Sequence, residues 1–194
     1  LEKKNNNMID NINIFENFLS TEECGNILNK CKEELTLSDA KVYGNDSNNI
    51  PTKTTRKSSI GWISDLGFLN ERLTNKLRET FNINGMEVTG LADYQFTEYK
   101  EGEYFDWHTD RGGEIYRDRF VSTVIQLNDN YSGGVFEIKD VQNNLIPIKQ
   151  KAGNLYVFES GLKHRVTPVE SGTRYSLVNW ISLVRTDSTK RNLL

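Results

Sequence analysis

The chain opens with a helical pattern of apolar positions and continues, after residue 85, in short runs of strand character. Ser20 and Glu23 are spaced as a capping box, and apolar residues then recur every three or four positions. These residues are Cys24, Ile27, Leu28, Cys31 and Leu35. A second helix is predicted over about 70–81, with apolar positions four residues apart. They are Leu69, Leu73, Leu77 and Phe81. Both patterns predict amphipathic helices with one face against a core.

The rest of the chain is patterned as β-structure. Short runs rich in Val, Ile, Tyr and Phe are separated by Gly and Asn/Asp turns. The runs are 85–99, 119–127, 135–139, 145–150, 154–158, 164–169 and 174–184, with a short strand near 58–63. Many short strands with turns between them are typical of a sandwich or barrel. The sequence therefore predicts an α+β, mainly β fold: a jelly roll flanked by N-terminal helices, with a loop over 36–57.

Composition and charge limit the class of protein. The chain has 194 residues, which fits one domain, and its 10% aromatic content argues against disorder. A net charge of −3 gives no general electrostatic case for nucleic acid as a partner. No apolar run approaches the roughly 20 residues of a membrane helix, and no secretory signal pattern is present. A soluble protein without a membrane partner is expected.

The two cysteines bear on the compartment. Cys24 and Cys31 lie seven residues apart on one predicted helix, which separates them by about 10.5 Å along its axis. A disulfide requires Cα atoms within about 7 Å, so this pair is expected to remain reduced. Two free thiols favour a cytoplasmic location.

The only two histidines, His108 and His164, carry the first chemical signal. In the tripeptide His108-Thr109-Asp110, residues i and i+2 of a strand point to one face and can converge on one ion. His164 can supply a third ligand only through the fold. Two histidines and one carboxylate leave open positions on a metal, as in non-haem Fe(II) oxygenases. A chance H-x-D and a zinc site remain alternatives, although a closed zinc site favours more ligands.

Arg174 carries the second signal, because it lies in an apolar strand pattern that ends at Trp180. A buried guanidinium is costly unless it meets an anion. A dicarboxylate with one end on the metal would offer its far carboxylate to Arg174, and Ser176 on the same face can add a hydrogen bond. An internal Asp or Glu partner is the alternative.

Six segments together resemble the 2-oxoglutarate/Fe(II) dioxygenase superfamily, and within it the prolyl 4-hydroxylase-like, PKHD-type hydroxylases. They are YKEGEYFDWHTD (99–110), RFVSTVIQLND (119–129), GGVFEI (133–138), AGNLYVFES (152–160), HRVTPV (164–169) and SGTRYSLVNWI (171–181). RKSSIGW (56–62) is a further match. The resemblance implies a double-stranded β-helix core over 86–186, with a helical support region over 11–85. Residues 1–10 and 187–194 are expected to be flexible tails.

The resemblance also assigns roles by position. The implied Fe(II) ligands and catalytic residues are His108, Asp110 and His164. The implied 2-oxoglutarate-binding residues are Arg174, Tyr99, Ser176 and Gln126, the last standing where relatives often have Tyr. The substrate pocket is expected to include Trp180, Arg56 and Trp107.

The activity implied is hydroxylation of a C–H bond with Fe(II), 2-oxoglutarate and O₂, giving succinate and CO₂ as co-products. Ascorbate is a candidate reductant. The expected substrate is a prolyl residue in a peptide or protein. The alternatives are the same chemistry on a small molecule, a free amino acid or another side chain, and a non-catalytic jelly-roll binding module. The loops over 38–57 and 111–119 are candidate lids.

Overall fold

The structure, a computed structural model, describes residues 12–41, 55–81, 86–112 and 119–185. Its helices are α1 (Thr21–Glu34) and α2 (Phe68–Phe81). Its strands are β1 (Asn13–Phe15), β2 (Ser38–Asp39), β3 (Arg56–Lys57), β4 (Ser59–Ile63), β5 (Met86–Leu91), β6 (Tyr94–Tyr99), β7 (Tyr104–His108), β8 (Val121–Gln126), β9 (Ser132–Gly133), β10 (Phe136–Lys139), β11 (Leu145–Ile146), β12 (Leu155–Glu159), β13 (His164–Val166), β14 (Val169–Ser171) and β15 (Arg174–Arg185). The predicted tails and most of the candidate lids lie outside the described residues.

Both helices form where the apolar periodicity places them. The capping box at the start of α1 is present: Ser20 Oγ accepts from the Glu23 N–H at 3.1 Å, and the Glu23 carboxylate accepts from the Ser20 N–H at 2.8 Å. Helix α1 buries Cys24, Ile27 and Cys31. Helix α2 begins two residues before the predicted start and buries all four of its predicted apolar positions.

Two antiparallel sheets form the body of the protein. The larger sheet has the order β1-β12-β8-β15-β6-β4-β2, with β5 also paired to β15. The smaller sheet has the order β11-β10-β13-β7-β3, and β14 pairs with β9. Strands adjacent in the chain are mostly not adjacent in a sheet, which is the connectivity expected of the predicted jelly roll.

Alternation along the strands of the larger sheet separates two cores. On β8, Val121 and Ile125 pack in a cluster with apolar side chains of both helices. Val124 has the opposite parity and packs with Phe136 of the smaller sheet in a second cluster. The larger sheet is thus covered by helices on one face and by the smaller sheet on the other. Side chains on this second face line the space between the sheets.

The prediction of a continuous loop over 36–57 is wrong at two places. Strand β2 pairs with β4, and β3 pairs with β7 through Arg56 and Phe105. Each of these strands is two residues long, which is too short to show an alternation of apolar and polar positions. They are defined only by pairing with strands that lie farther along the chain.

The two cysteines are free and buried, as predicted. Burial raises the pKa of Cys24 and of Cys31 to about 11. Among the described residues, neither helix has the length and apolar character needed to cross a membrane.

Candidate active site

The two sheets bring both histidines and the aspartate together at one end of the smaller sheet. His108 ends β7 and lies opposite His164, the first residue of β13. Asp110 lies just beyond the strand, where its backbone N–H donates to the Ser160 carbonyl at 2.9 Å. One ligand atom from each of the three residues lies within 4.8 Å of the others. The convergence therefore depends on a turn held by Ser160, and not on strand alternation alone.

The hydrogen bonds of the imidazoles determine which nitrogen is available. Nδ1 of His108 is 2.7 Å from the Asp106 carbonyl, and Nδ1 of His164 is 2.9 Å from the Leu162 carbonyl. Because a carbonyl only accepts, each Nδ1 carries a hydrogen, and in a neutral imidazole the lone pair is then on Nε2. The two Nε2 atoms face Asp110, at 3.7 Å from Oδ1 and 3.4 Å from Oδ2.

The local electrostatics keep His108 and Asp110 in the protonation states that bind metals. Burial, with a smaller contribution from nearby His164, lowers the pKa of His108 to about 3. Burial alone would raise the pKa of Asp110, but both histidines and a hydrogen bond from Ser122 outweigh it and hold that pKa well below its usual range. A neutral imidazole beside an ionised carboxylate suits a divalent cation. Two imidazole nitrogens and one carboxylate oxygen fit Fe(II) with open positions.

Three residues that sequence reasoning missed support this cluster. Ser122 Oγ donates to Asp110 Oδ2 at 2.6 Å and lies 2.8 Å from Ser160 Oγ. The Phe105 ring stacks on the His108 imidazole, with centroids 3.4 Å apart and an interplanar angle of 12°. The available signal was a serine inside the strand-like run VSTVIQ, because a hydroxyl that is buried with such a strand needs a partner.

Arg174 lies on the face of the larger sheet that is covered by the smaller sheet, and the residue is 1% exposed. Its Nη1 donates to Ser176 Oγ at 3.0 Å and its Nη2 to Gln126 Oε1 at 2.9 Å, while Nε has no partner within the described ranges. The Tyr99 ring centroid is 5.4 Å from the guanidinium carbon. No carboxylate of the described ranges pairs with this cation. The side chains that contact the guanidinium are uncharged, so its positive charge is available to an anionic ligand.

A cavity of about 590 Å³ joins the two features. Eight of the residues predicted for the site line it: His108, Asp110, His164, Tyr99, Arg174, Ser176, Arg56 and Trp180. Gln126 is not on this lining and contacts the cavity only through Arg174. The volume exceeds what a small dicarboxylate fills, which leaves space for part of a substrate.

Trp107 lies elsewhere than predicted. It is not among the residues that line the cavity, and its ring packs against Lys139 and Arg165, 4.5 and 4.7 Å away. The reason is strand alternation, because neighbouring residues point to opposite faces and His108 faces inward. Phe105 lines the cavity instead, since a bulge sets three steps of β7 against two of β13.

The outer wall of the cavity is aromatic and cationic. Trp62, which is 47% exposed, lies 6.0 Å from Trp180 between ring centroids. The Arg119 guanidinium lies 3.8 Å from the centre of the Trp180 ring. Arg56 donates to Gln95 Oε1 at 3.1 Å and lies over Phe105. This wall offers apolar faces and hydrogen-bond donors to a ligand.

Solved structures of prolyl hydroxylases share this fold. A prolyl-4-hydroxylase from Pseudomonas putida superposes with a TM-score of 0.67 at 24% identity, over 88% of this chain and 91% of that one. A prolyl hydroxylase from Trichoplax adhaerens, in complex with a peptide fragment of the hypoxia inducible factor oxygen degradation domain, gives 0.68 at 21% identity, over 89% and 84%. The similarity confirms the predicted double-stranded β-helix.

Sequence comparisons identify the family. Residues 94–182 match the model of the 2OG-Fe(II) oxygenase superfamily. A PKHD-type hydroxylase of Shewanella sp. (strain MR-7) is 32% identical over 191 residues, covering 92% of this chain and 81% of that protein. The chain spans about half the length of other curated relatives, such as 46% of a PKHD-type hydroxylase of Shewanella baltica (strain OS155), which is 33% identical over 105 residues. The chain therefore belongs to the 2OG-Fe(II) oxygenase superfamily, among its PKHD-type hydroxylases.

Proposed function

We propose that this protein is an Fe(II)- and 2-oxoglutarate-dependent dioxygenase that hydroxylates a prolyl residue of a peptide or protein, with succinate and CO₂ as co-products. The observation that carries the proposal is the combination, in one cavity, of an open His–Asp–His donor set and the buried cation of Arg174, which has no anionic partner among the residues that the structure describes. A compound that chelates a metal at one end and carries a carboxylate at the other satisfies both features.

The residues of the chain bind and orient in this mechanism. His108, Asp110 and His164 would hold the iron, and Arg174 with Tyr99 would hold the far carboxylate of 2-oxoglutarate. When bound, this pair supplies the oxidising chemistry that activates O₂, which no side chain provides. Ser176 and Gln126 hold the guanidinium in place before the ligand arrives, so less freedom is lost on binding. Apolar side chains in the lining exclude water from the reacting groups; they are Val124, Phe136, Val166 and Val178.

The outer wall of the cavity supports a peptide substrate. Trp62 and Trp180 present indole rings of the size needed to pack against a pyrrolidine ring. Arg56 carries N–H donors beside them, which suit the carbonyl oxygens of an extended peptide. The fold is shared with a prolyl hydroxylase described in complex with a peptide fragment. Together these features favour a prolyl residue within a chain over a free small molecule.

The cofactor part of the proposal is tested without turnover. Metal-free protein is titrated with Fe(II) and then 2-oxoglutarate under anaerobic conditions, and the visible charge-transfer band of the chelate is followed. A band that saturates in the wild type, and needs more 2-oxoglutarate in Arg174→Ala, is the expected result. Arg165→Ala is the matched control, because Arg165 lies outside the cavity lining and should leave the band unchanged. Absence of a band in folded wild-type protein would leave the non-catalytic binding module.

The substrate part is tested by O₂-dependent succinate formation. Proline-containing peptides are compared with the same peptides carrying alanine in place of proline, with and without ascorbate. Succinate that depends on proline, with one oxygen atom added at that residue, is the expected result, and we expect ascorbate to sustain it. Turnover with free amino acids or small molecules, and none with peptides, would instead support the small-molecule alternative.

A further inference from the structure

Two fully buried serine hydroxyls lie behind the carboxylate of Asp110. Ser122 is on β8 and Ser160 directly follows β12, and both are 0% exposed. Ser122 Oγ is 2.6 Å from Asp110 Oδ2 and 2.8 Å from Ser160 Oγ. Two adjacent hydroxyls buried in a β-sandwich are costly without partners, and their partners are each other and Asp110.

The direction of these hydrogen bonds follows from the number of hydrogens. An ionised carboxylate has none to give, so the single hydroxyl hydrogen of Ser122 points to Asp110 Oδ2. Ser122 Oγ must then accept from Ser160. The 2.6 Å distance lies in the range of charge-assisted O–H···O⁻ bonds, and a hydroxyl that accepts a hydrogen bond is a stronger donor.

Ser160 also holds the main chain at this point. Its carbonyl accepts from the N–H groups of Asp110 and Arg111 at 2.9 and 3.0 Å, and its own N–H donates to the Phe120 carbonyl at 3.0 Å. The turn that carries Asp110 is thereby tied to the end of β12. The backbone of Asp110 is held by Ser160, and its carboxylate by Ser122, which bonds to the Ser160 hydroxyl. The Asp110 side chain therefore has little freedom to rotate.

The two oxygens of the Asp110 carboxylate are consequently different. Oδ2 accepts a short hydrogen bond from Ser122 and lies 3.4 Å from His164 Nε2, whereas Oδ1 lies 3.7 Å from His108 Nε2 and accepts from no donor in the described part of the chain. We propose that Ser122 and Ser160 are positioning residues, which hold Oδ2 and present Oδ1 to the metal. The inference rests on the proposed function, because it requires that the cluster binds a metal.

The strand itself provides a matched control. Thr123 follows Ser122 on β8 and is equally buried, but it points to the helix-covered face, where its hydroxyl donates to the Asn179 carbonyl at 3.3 Å. Thr123→Val and Ser122→Ala each remove one buried hydroxyl from the same strand. Only Ser122→Ala removes a contact to the metal-binding cluster.

The test measures the affinity of metal-free protein for Co(II) by its visible absorption, in the absence of 2-oxoglutarate and O₂. Loss of a group that orients a metal ligand typically weakens metal affinity about 10- to 100-fold, and this is the expected effect of Ser122→Ala. Ser160→Ala should weaken it by less than about tenfold, since Ser122 still donates to Asp110. Thr123→Val should bind Co(II) as the wild type does.

The outcomes separate this inference from the function on which it rests. If Ser122→Ala binds Co(II) as tightly as Thr123→Val, with the same absorption spectrum, the positioning role is refuted while the metal site stands. If the wild type binds no metal, the proposed function fails first. Thermal unfolding of the metal-free variants shows whether each is folded. Should Ser122→Ala not fold, Ser160→Ala decides: weaker Co(II) binding supports the inference, and unchanged binding overturns it.

Discussion

Arg174 allows the most quantitative test, because its guanidinium is buried and only partly satisfied. Of its five N–H donors, one on Nη1 is used by Ser176 and one on Nη2 by Gln126, and Nε bonds to none of the residues that the structure describes. The substitution Arg174→Met removes the charge and every donor but retains an unbranched apolar side chain. We expect it to weaken the binding of 2-oxoglutarate and to leave the affinity for the metal unchanged.

The size of the effect follows from the hydrogen bonds that remain available. A carboxylate bound by the guanidinium forms two charge-assisted hydrogen bonds, each worth about 1.5–3 kcal/mol. Desolvation of the ligand offsets part of this gain, so the lower end applies, about 3 kcal/mol in total. At about 1.4 kcal/mol per tenfold change, the dissociation constant of 2-oxoglutarate should rise on the order of 100-fold. Arg174→Lys keeps the positive charge but lacks the planar guanidinium group. Its dissociation constant for 2-oxoglutarate should therefore lie between those of the wild type and Arg174→Met, about tenfold above the wild type.

A truncated ligand isolates the interaction with the far carboxylate. 2-Oxobutyrate has the same chelating end as 2-oxoglutarate and lacks that carboxylate. Dissociation constants of both ligands are measured anaerobically on the metal-loaded wild type and Arg174→Met. The wild type should prefer 2-oxoglutarate by on the order of 100-fold, and the variant by less than about threefold, as in a double-mutant cycle.

If Arg174→Met kept the preference of the wild type for 2-oxoglutarate, Arg174 would not be the residue that binds the far carboxylate. The far carboxylate would then be bound by another residue, and the neutral contacts of Arg174 would need a structural explanation. Equal weakening of both ligands would indicate a general disturbance of the cavity, and the thermal midpoint of the metal-free variant would show it.

Four further predictions concern the metal site and the core. His164→Ala should abolish turnover and reduce Co(II) binding strongly while the protein stays folded by circular dichroism, since the imidazole supplies one of three ligands; retained turnover would exclude the assigned cluster. Protein freed of metal by a chelator should lose about 2 kcal/mol of its free energy of unfolding, measured with urea, between pH 7 and pH 5. The reason is that His108 of the unfolded chain binds a proton near pH 6.5, whereas the folded residue, with its pKa lowered to about 3, does not. The variant His108→Asn should lose correspondingly less free energy of unfolding. Cys24 and Cys31 have pKa values raised to about 11, so about one thiol in a thousand should be ionised at pH 8. They should react with a thiol reagent at least about 100-fold more slowly in the folded protein than in urea-unfolded protein. Rapid labelling of the folded protein would contradict their burial. Leu73→Ala, at a fully buried position of α2, should reduce the free energy of unfolding by about 2–5 kcal/mol, and a loss below about 1 kcal/mol would show that the helix face is not tightly packed.

The elements with long, regular patterns were predictable. The helix over 70–81 and the capping box at Ser20 depend on residues three or four positions apart, and local chemistry alone is enough to specify them. The strand β15 was also predictable, because Tyr, Leu, Val, Trp and Ile predominate between Arg174 and Arg185. The two-residue strands β2 and β3 were not, since each is defined only by a partner far along the chain.

The proposed metal ligands and the proposed anion-binding arginine could be named from the sequence, because their residue types are distinctive and few and their positions match the family that the chain resembles. Two histidines, one of them two residues from an aspartate, and one arginine in an apolar strand leave few alternatives. The same sequence could not show that Arg174 lacks an acidic partner in the described part of the chain. That conclusion needs the position of every carboxylate around the guanidinium, which only the packed sheets provide.

The tertiary structure alone decided the surroundings of these groups. A bulge in β7 turns Phe105 onto the His108 ring, while alternation leaves Trp107 on the opposite face. Ser122 on β8 and Ser160 just beyond β12 meet at Asp110 because these two strands are paired, although the serines are 38 residues apart in the chain. A chemical group is encoded at its own position and can be predicted there, but its partners are set by register and packing between distant segments. The sequence by itself thus determined which groups bear the chemistry, and the fold determined what holds them in place.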